Sequence, residues 1–536
     1  MKAWLSDALK RYYPASPAEE QREFVLSAAR GERVSFQVLC RTTDERVKVT
    51  IAASAASPEG MALTIRRVGY VPMPHLNCEV DPAELEGIDY LPGYVPDPLF
   101  PETSLVAGTM ETNAFWITLR IPKDAVPGRY EIPIALTLND EPAATLTATL
   151  LVHQAVLPVR DFPVTHWFYA DALLDWYKLE GFTEEFWRIF GVYVDDVVAH
   201  GQDVLYVPTF TPPLDGVKRP TQLLRVRRDG DGYQFDWSLV RRWIRSARER
   251  GIRRFEWAHL FTQWGAKYAL RIYRDHGGDE VLLWPPETPG TSPLYREFLA
   301  QYLTELHRFL QAEDLLECSF FHVSDEPHGE EHLRDYRAAR EMLRELAPWM
   351  RVMDALSDIT FAREGLTDIP IPILDKTMEF VQEGFAPWTY YWGGPRGNYI
   401  NRQLDTPLWK IRMSGWLFYA TGVKGFLNWA YNYWYRSQTR ELIDPFTVLD
   451  SLVWPRWCYG DGFLVYPGAD GPIDSIRWEV FAESLQDYAL LQGAGINSAD
   501  PLLSGITDFA SFPREKGWIT AHREAILTLL DDRINS

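Results

Sequence analysis

The chain has 536 residues, 46% apolar and 24% charged, which is ordinary for folded domains and too long for a single hydrophobic core. Its formal net charge of −20 argues against nucleic acid and anionic membranes as partners and points to a neutral or cationic ligand rather than a polyanion. Four widely separated cysteines and eleven scattered histidines show no ligand spacing, so neither a metal nor a cofactor is expected, and no window is apolar enough for a membrane span.

At the N-terminus, Met1 to Lys10 has no long apolar core and no cleavage-like site, which predicts a cytoplasmic protein. Residues 1–160 then read as a β-sandwich. Val34 to Leu39, Lys48 to Ile51, Phe115 to Leu119, Tyr130 to Ile134 and Thr145 to Val152 alternate or nearly so, between Pro and Gly turns. Asp140-Glu141-Pro142 lies between two such runs and reads as a hairpin turn. A Pro-rich stretch, Tyr90 to Pro101, reads as a loop reaching towards the next domain. Leu157 to Pro163 is the expected joint.

From residue 161 to about 440 the pattern alternates strand and helix. Eight strand-like runs, beginning with Val164 to Phe168 and ending with Gly425 to Trp429, predict a (β/α)8 barrel. Residues 441–536 add a short strand pair near Phe463 to Tyr466 and helices at Ser475 to Leu491 and Trp518 to Leu530. The expected architecture is therefore multidomain α/β: a sandwich, a TIM-type barrel and a small C-terminal extension.

The fourth barrel run carries the strongest chemical signal. Phe320, Phe321 and Val323 lead into Asp325-Glu326-Pro327, and a helical pattern follows. An apolar, non-alternating run fits a strand buried on both faces, where unpaired carboxylates cost several kcal/mol each. The pair therefore belongs where the strand emerges, in a βα loop, the usual place for chemistry. Two aromatic clusters, Trp388 to Trp392 and Trp429 to Trp434, carry polar tips that suit a sugar site. His166, His259, Tyr391, Trp392, Asn428 and Trp429 all fall at predicted C-terminal strand ends and are candidate substrate contacts. Asp171, Asp354 and Asp375 are candidate hydroxyl acceptors, although helix capping accounts for them nearly as well.

Several spaced motifs resemble glycoside hydrolase family 123 and its relatives, the β-N-acetylgalactosaminidases. They are Thr165 to Asp171, Ala258 to Gly265, Val323 to Pro327, Gly397 to Tyr399, Gly425 to Trp429 and Gly460 to Gly468. The resemblance implies a sandwich followed by a barrel. It also implies substrate-assisted retention, in which the 2-acetamido oxygen attacks C1 and forms an oxazolinium, an exception to the two-carboxylate scheme. Glu326 is then the general acid/base and Asp325 the stabiliser of the acetamido nitrogen, with Pro327 favouring an extended Glu326. Tyr391 is the first candidate to hold the acetamido carbonyl, and Trp392 or Trp429 to floor the sugar. The expected partner is a small glycan or glycoside ending in a 2-acetamido sugar; homo-oligomerisation stays open. Two other readings stand beside this one. The first is a retaining glycosidase whose nucleophile is Glu256 or Asp354; the second is a non-catalytic carbohydrate-binding protein.

Overall fold

The computed structural model describes residues 1–536 apart from 44–47, 215, 217, 231, 275–280, 453–456 and 536. The N-terminal part consists of two five-stranded sheets. One runs in the order Lys2–Asp7, Arg33–Arg41, Thr112–Arg120, Ala62–Met73, Gly93–Phe100, and the other Glu23–Arg30, Glu141–Val156, Gly128–Leu138, Val49–Ala55, Ser104–Ala107. Side chains from both sheets, among them Leu5, Phe36, Val38, Ile51, Phe115, Ile117, Ile134 and Leu150, share one core. Alternation explains why Arg33–Arg41 is buried along nearly its whole length. Phe36 and Val38 face the partner sheet, whereas Leu39, like Trp4 and Trp116 on neighbouring strands, joins the core of the second half. The expected hairpin is a two-residue turn in which Asn139 (φ 49°) and Asp140 (φ 67°) are both left-handed, the geometry of a type I′ turn.

The Pro-rich stretch departs from expectation. Gly93–Phe100 is a strand, paired with Ala62–Met73 at the end of its sheet. An edge position tolerates Pro96 and Pro98 because the missing N–H groups need not enter a ladder. The strand does reach the second half: Asp97 is fully buried and takes the Arg477 guanidinium.

The second half holds eight short strands: Val164–His166, Val204–Val207, Arg254–Trp257, Ser319–Phe321, Met353–Ala355, Ile369–Ile371, Thr389–Tyr390 and Phe426–Asn428. The second, third and fourth pair in parallel; so do the fifth and sixth; so do the seventh, eighth and first. Single parallel bridges, Phe321 to Val352 and Ile373 to Tyr390, join these ladders. Between the first and second strands the contact is local: the Asp203 amide donates to the Val164 carbonyl at 3.3 Å, and the Val164 amide to the Asp203 carboxylate at 2.9 Å. The strands thus form three ladders rather than one continuous closed sheet among the described residues. They are also shorter than the runs that announced them; Arg254–Trp257 stops before His259.

Helices connect the strands, including Glu184–Ala199, Ser238–Arg250, Pro293–Ala312 and Gly329–Leu346. Thr183 and Ser292 cap the first and third of these with their hydroxyls. After residue 440 come the strand pair Val465–Pro467 and Pro472–Asp474, then helices Ile476–Gly493 and Lys516–Asn535. Ile476–Gly493 is buried almost all round and lies between the halves. Its Glu479 takes Arg33 and Arg66 from the N-terminal sheets, Arg477 holds Asp97, and Asp487 binds Arg412 and Arg523. No helix among the described residues is long and apolar enough to cross a membrane.

Candidate active site

Three residues separate the acid pair from the buried strand Ser319–Phe321, and this intervening backbone is held from below. The Val323 amide donates to both Asp354 oxygens at 3.1 Å, and the Ser324 amide to one at 3.5 Å. The Ser324 hydroxyl accepts from the amides of Gly265 (3.1 Å) and Ala266 (3.2 Å), which ties the pair to the loop after the third strand. Asp325 leans into that loop: Gln263 donates to its carboxylate at 2.8 Å, and the Trp264 amide to its carbonyl at 2.8 Å. Glu326 turns the other way, where the Tyr390 hydroxyl donates to Oε1 at 2.6 Å.

This divergence has a backbone cause that differs from the expected one. Glu326 is not extended but left-handed, at φ 46°, with its amide donating to the Ala355 carbonyl at 2.9 Å. A non-glycine residue there costs on the order of 1–3 kcal/mol and persists only where its surroundings impose it. The facing loop is also left-handed at Trp264 (φ 61°), Gly265 (φ 105°) and Ala266 (φ 62°). A Cβ on Gly265 would meet the His332 ring 2.6 Å away, so glycine is required by space as well as by φ.

Beneath the pair lies a buried polar network. His322 bonds through Nε2 to Glu256 at 2.8 Å and through Nδ1 to Asp354 at 3.0 Å, and all three are inaccessible to solvent. Trp167 donates to Glu256 and Tyr336 to Asp354. Burial pushes the imidazole towards the neutral form, but the bonds to Asp354 and Glu256 and their charges prevail and lift it to about 10. Burial raises the Asp354 carboxyl, with His322 and Tyr336 pulling against it.

The candidate contacts separate into two groups. His166 is enclosed: Nδ1 meets Gln202 at 3.0 Å, and Arg402 donates to Nε2 at 2.6 Å. Burial, then Arg402, holds it neutral, and Trp478 and Phe481 cover its ring. Asn428 is also internal, donating to the Tyr391 carbonyl at 2.8 Å and accepting from the Ala430 amide. His259 stacks on His322 at 4.3 Å and shares Nδ1 with the Tyr206 hydroxyl. The tyrosine on the acid is Tyr390, not Tyr391; Tyr391 is the next residue of an extended strand and so faces the opposite way, against Phe426 and Arg402. Trp392 and Trp429 are partly accessible. Trp392 packs on Trp457, while Trp429 packs on Tyr433 and donates to Asp461 at 3.2 Å. Burial raises Asp461 to about 7 against the opposing pull of Trp429, Arg402 and Arg477.

Two clusters bring metal-type ligands together: His259, His322 and Asp354, and Asp196, His200 and Asp474. In each, the histidine between carboxylates is raised, His322 to about 10 and His200 to about 9, although burial opposes both. His322 bonds Asp354 at 3.0 Å and His200 bonds Asp196 at 3.0 Å, so each cluster is knit internally by a histidine–carboxylate contact.

A cavity of about 480 Å³ is walled by Gln263, the partner of Asp325, with Trp264, Tyr268, Lys218, Arg271 and Glu287. Trp264 leaves 46% of its surface exposed there, an unusual allowance for a tryptophan in a folded chain. Gln263 links the cavity wall to Asp325, and Lys218 lies on the ring of Tyr433, which packs on Trp429.

Two family models match the chain: the glycoside hydrolase 123 catalytic domain over residues 167–494 and the glycoside hydrolase 123 N-terminal domain over residues 7–138. The chain belongs to glycoside hydrolase family 123. Among solved structures, it is similar to a family 123 glycoside hydrolase from Clostridium perfringens, described for glycolipid glycan hydrolysis. That match has 16% identity and a TM-score of 0.73, covering 100% of this chain and 98% of the other, and it speaks to the fold. A Bacteroides ovatus GH5 xyloglucanase matches far more loosely, at 10% identity and a TM-score of 0.32, covering 88% of this chain and 99% of that one. No curated protein matches significantly. As a family 123 hydrolase the protein acts on glycans. The residues that sequence reasoning passed over are Tyr390, Gln263, His322, Lys218 and Asp461. Tyr390, Gln263 and Asp461 lay inside stretches already singled out, but nothing local marked Tyr390 and Gln263 as partners of the acids or Asp461 as the partner of Trp429.

Proposed function

We propose that this family 123 hydrolase is a retaining exo-β-N-acetylhexosaminidase of the β-N-acetylgalactosaminidase type, and that its eight strands serve as a (β/α)8 barrel. The observation that carries the reading is the opposed hold on two adjacent carboxylates, Gln263 on Asp325 and Tyr390 on Glu326. Two neighbouring acids pointed apart suit one sugar unit with two demands. Glu326 protonates the glycosidic oxygen as the bond to C1 breaks. The acetamido oxygen of the same sugar attacks C1, and Asp325 takes the N–H that gains positive character as the oxazolinium forms. Water then opens the ring, with Glu326 accepting its proton.

The rival nucleophiles fit poorly. Glu256 and Asp354 are fully buried and already bonded to His322, with Trp167 and Tyr336 filling further positions. A nucleophile needs a clear approach to C1, and these two have backbone and imidazole in the way.

A panel of aryl β-glycosides with and without the 2-acetamido group tests the reading. Turnover confined to the acetamido sugars is expected, with a thiazoline analogue binding well below KM because it resembles the intermediate. Asp325→Asn should lower kcat more than it raises KM. Covalent trapping of a carboxylate by a 2-fluoro sugar would overturn the mechanism.

A further inference from the structure

Lys218 is the buried cation of the cavity wall. Only 5% of its surface is accessible, and its ammonium lies 4.8 Å from the ring centres of both Tyr169 and Tyr433. Taking a lysine out of water is unfavourable without a partner, and two ring faces recover only part of that loss. Among the described residues Lys218 makes no hydrogen bond or ion pair; the buried carboxyl of Asp171 acts on it only from a distance. Arg271 lines the same cavity, again without an ion pair to a described residue, while Glu287 is the exposed carboxylate of that wall. Enclosed cations elsewhere divide: Arg402, against the rings of Tyr391, Phe426 and Phe481, donates to His166, whereas others take carboxylates. Arg412, Arg477 and Arg523 each bind buried carboxylates directly. In a protein of net charge −20, two cations without an ion pair among the described residues share a cavity whose Gln263 bonds Asp325.

We propose that this cavity is an oxyanion subsite, in which Lys218, supported by Arg271, receives a carboxylate or sulfate ester carried by the substrate glycan. The Tyr169 and Tyr433 rings fix the ammonium in place, so little side-chain freedom is lost when the anion arrives. Trp264 and Tyr268 supply flat surface for the sugar that carries the group. The overall negative charge disfavours a polyanion, so the subsite admits a single acidic group on an otherwise neutral glycan. This rests on the glycosidase reading, because the cavity's Gln263 bonds Asp325.

The test uses the full-length chain carrying Glu326→Gln, so that ligands are held rather than cleaved. Calorimetry compares a neutral disaccharide ending in a β-linked 2-acetamido sugar with two acidic counterparts. One has a uronic acid on the reducing side; the other has a 6-sulfate on the terminal sugar. At least one acidic ligand should bind about tenfold tighter or more, the scale of one charge-assisted hydrogen bond, and which one does so tells where the anion sits. Adding Lys218→Met should erase most of that ratio. Adding Arg271→Gln should reduce it severalfold, and this arm decides if the lysine variant does not fold. Equal binding of all three ligands, or a ratio unchanged in a folded variant, overturns the subsite while leaving the glycosidase reading intact. Failure of Glu326→Gln to bind any of the three overturns both.

Discussion

The Tyr390 hydroxyl donates to Oε1 of Glu326 at 2.6 Å, from a strand that adjoins the acid's own only through intervening ladders. Burial, then the Glu326 charge, pushes the Tyr390 hydroxyl far above its ordinary range, so it stays a donor at any working pH. The tyrosine therefore orients the acid without competing for its proton. Tyr390→Phe should lower kcat/KM by about tenfold or more, the worth of a hydrogen bond to a charged group, with thermal stability changed much less. Activity within twofold of the parent would detach Tyr390 from the chemistry.

Glu326→Gln separates substrates by leaving group. With poorly activated glycosides turnover should fall on the order of 10²–10⁴-fold; with a dinitrophenyl leaving group the loss should be far smaller. Comparing kcat on the two substrate types checks this, and equal losses would refute the acid assignment.

The His322 network predicts a pH dependence of stability. The imidazole is near its ordinary 6.5 when unfolded and about 10 when folded. Its contribution is thus complete below about 6.5 and is lost as pH rises towards 10. His322→Gln leaves two buried carboxylates facing a neutral amide and should cost about 3–5 kcal/mol near pH 6. The gap between parent and variant should narrow steadily from pH 7 to pH 10 in denaturant titrations. A gap independent of pH would mean that His322 is neutral in the fold.

Asp461 behaves in the opposite sense. Its carboxyl is raised from 3.8 to about 7, chiefly by burial, so its favourable contribution is present at low pH and disappears as pH rises through 7. Asp461→Asn keeps an acceptor for Trp429 and removes that liability. The variant should gain stability over the parent as pH climbs from 4 to 7 and hold the gain above. Thermal melts across that range measure it; a gain already full at pH 4 would contradict the titration.

The fold was largely readable because its signals are repetitive. Eight strand–helix alternations and a set of period-2 runs survive errors at any one element, and the position of Asp325-Glu326 at a strand exit followed from the cost of burying two charges. Side-chain direction was harder. Tyr390 and Tyr391 are adjacent and chemically alike, and only the register of Thr389–Tyr390 against Phe426–Asn428 decides which one meets the acid. Pro327 argued for an extended Glu326, yet a tertiary bond from its amide to Ala355 overrides that local preference. The Pro-rich stretch misled for a similar reason: a strand at the end of a sheet obeys weaker rules than one in the middle. His166 and Asn428 sit at strand ends as expected, but which strand ends open to solvent is a property of neighbours such as Trp478 and Arg402, distant in sequence.

The helix Ile476–Gly493 spends its charged residues on both parts of the molecule at once, with Arg477 and Glu479 gripping the N-terminal sheets while Asp487 grips Arg412. A fragment holding only the hydrolytic portion would bare the surface that Trp4 and Trp116 cover and leave Arg477 without Asp97 and Glu479 without Arg33 and Arg66. Grafting this hydrolase onto a foreign N-terminal module would therefore require rewriting the helix as well as the joint.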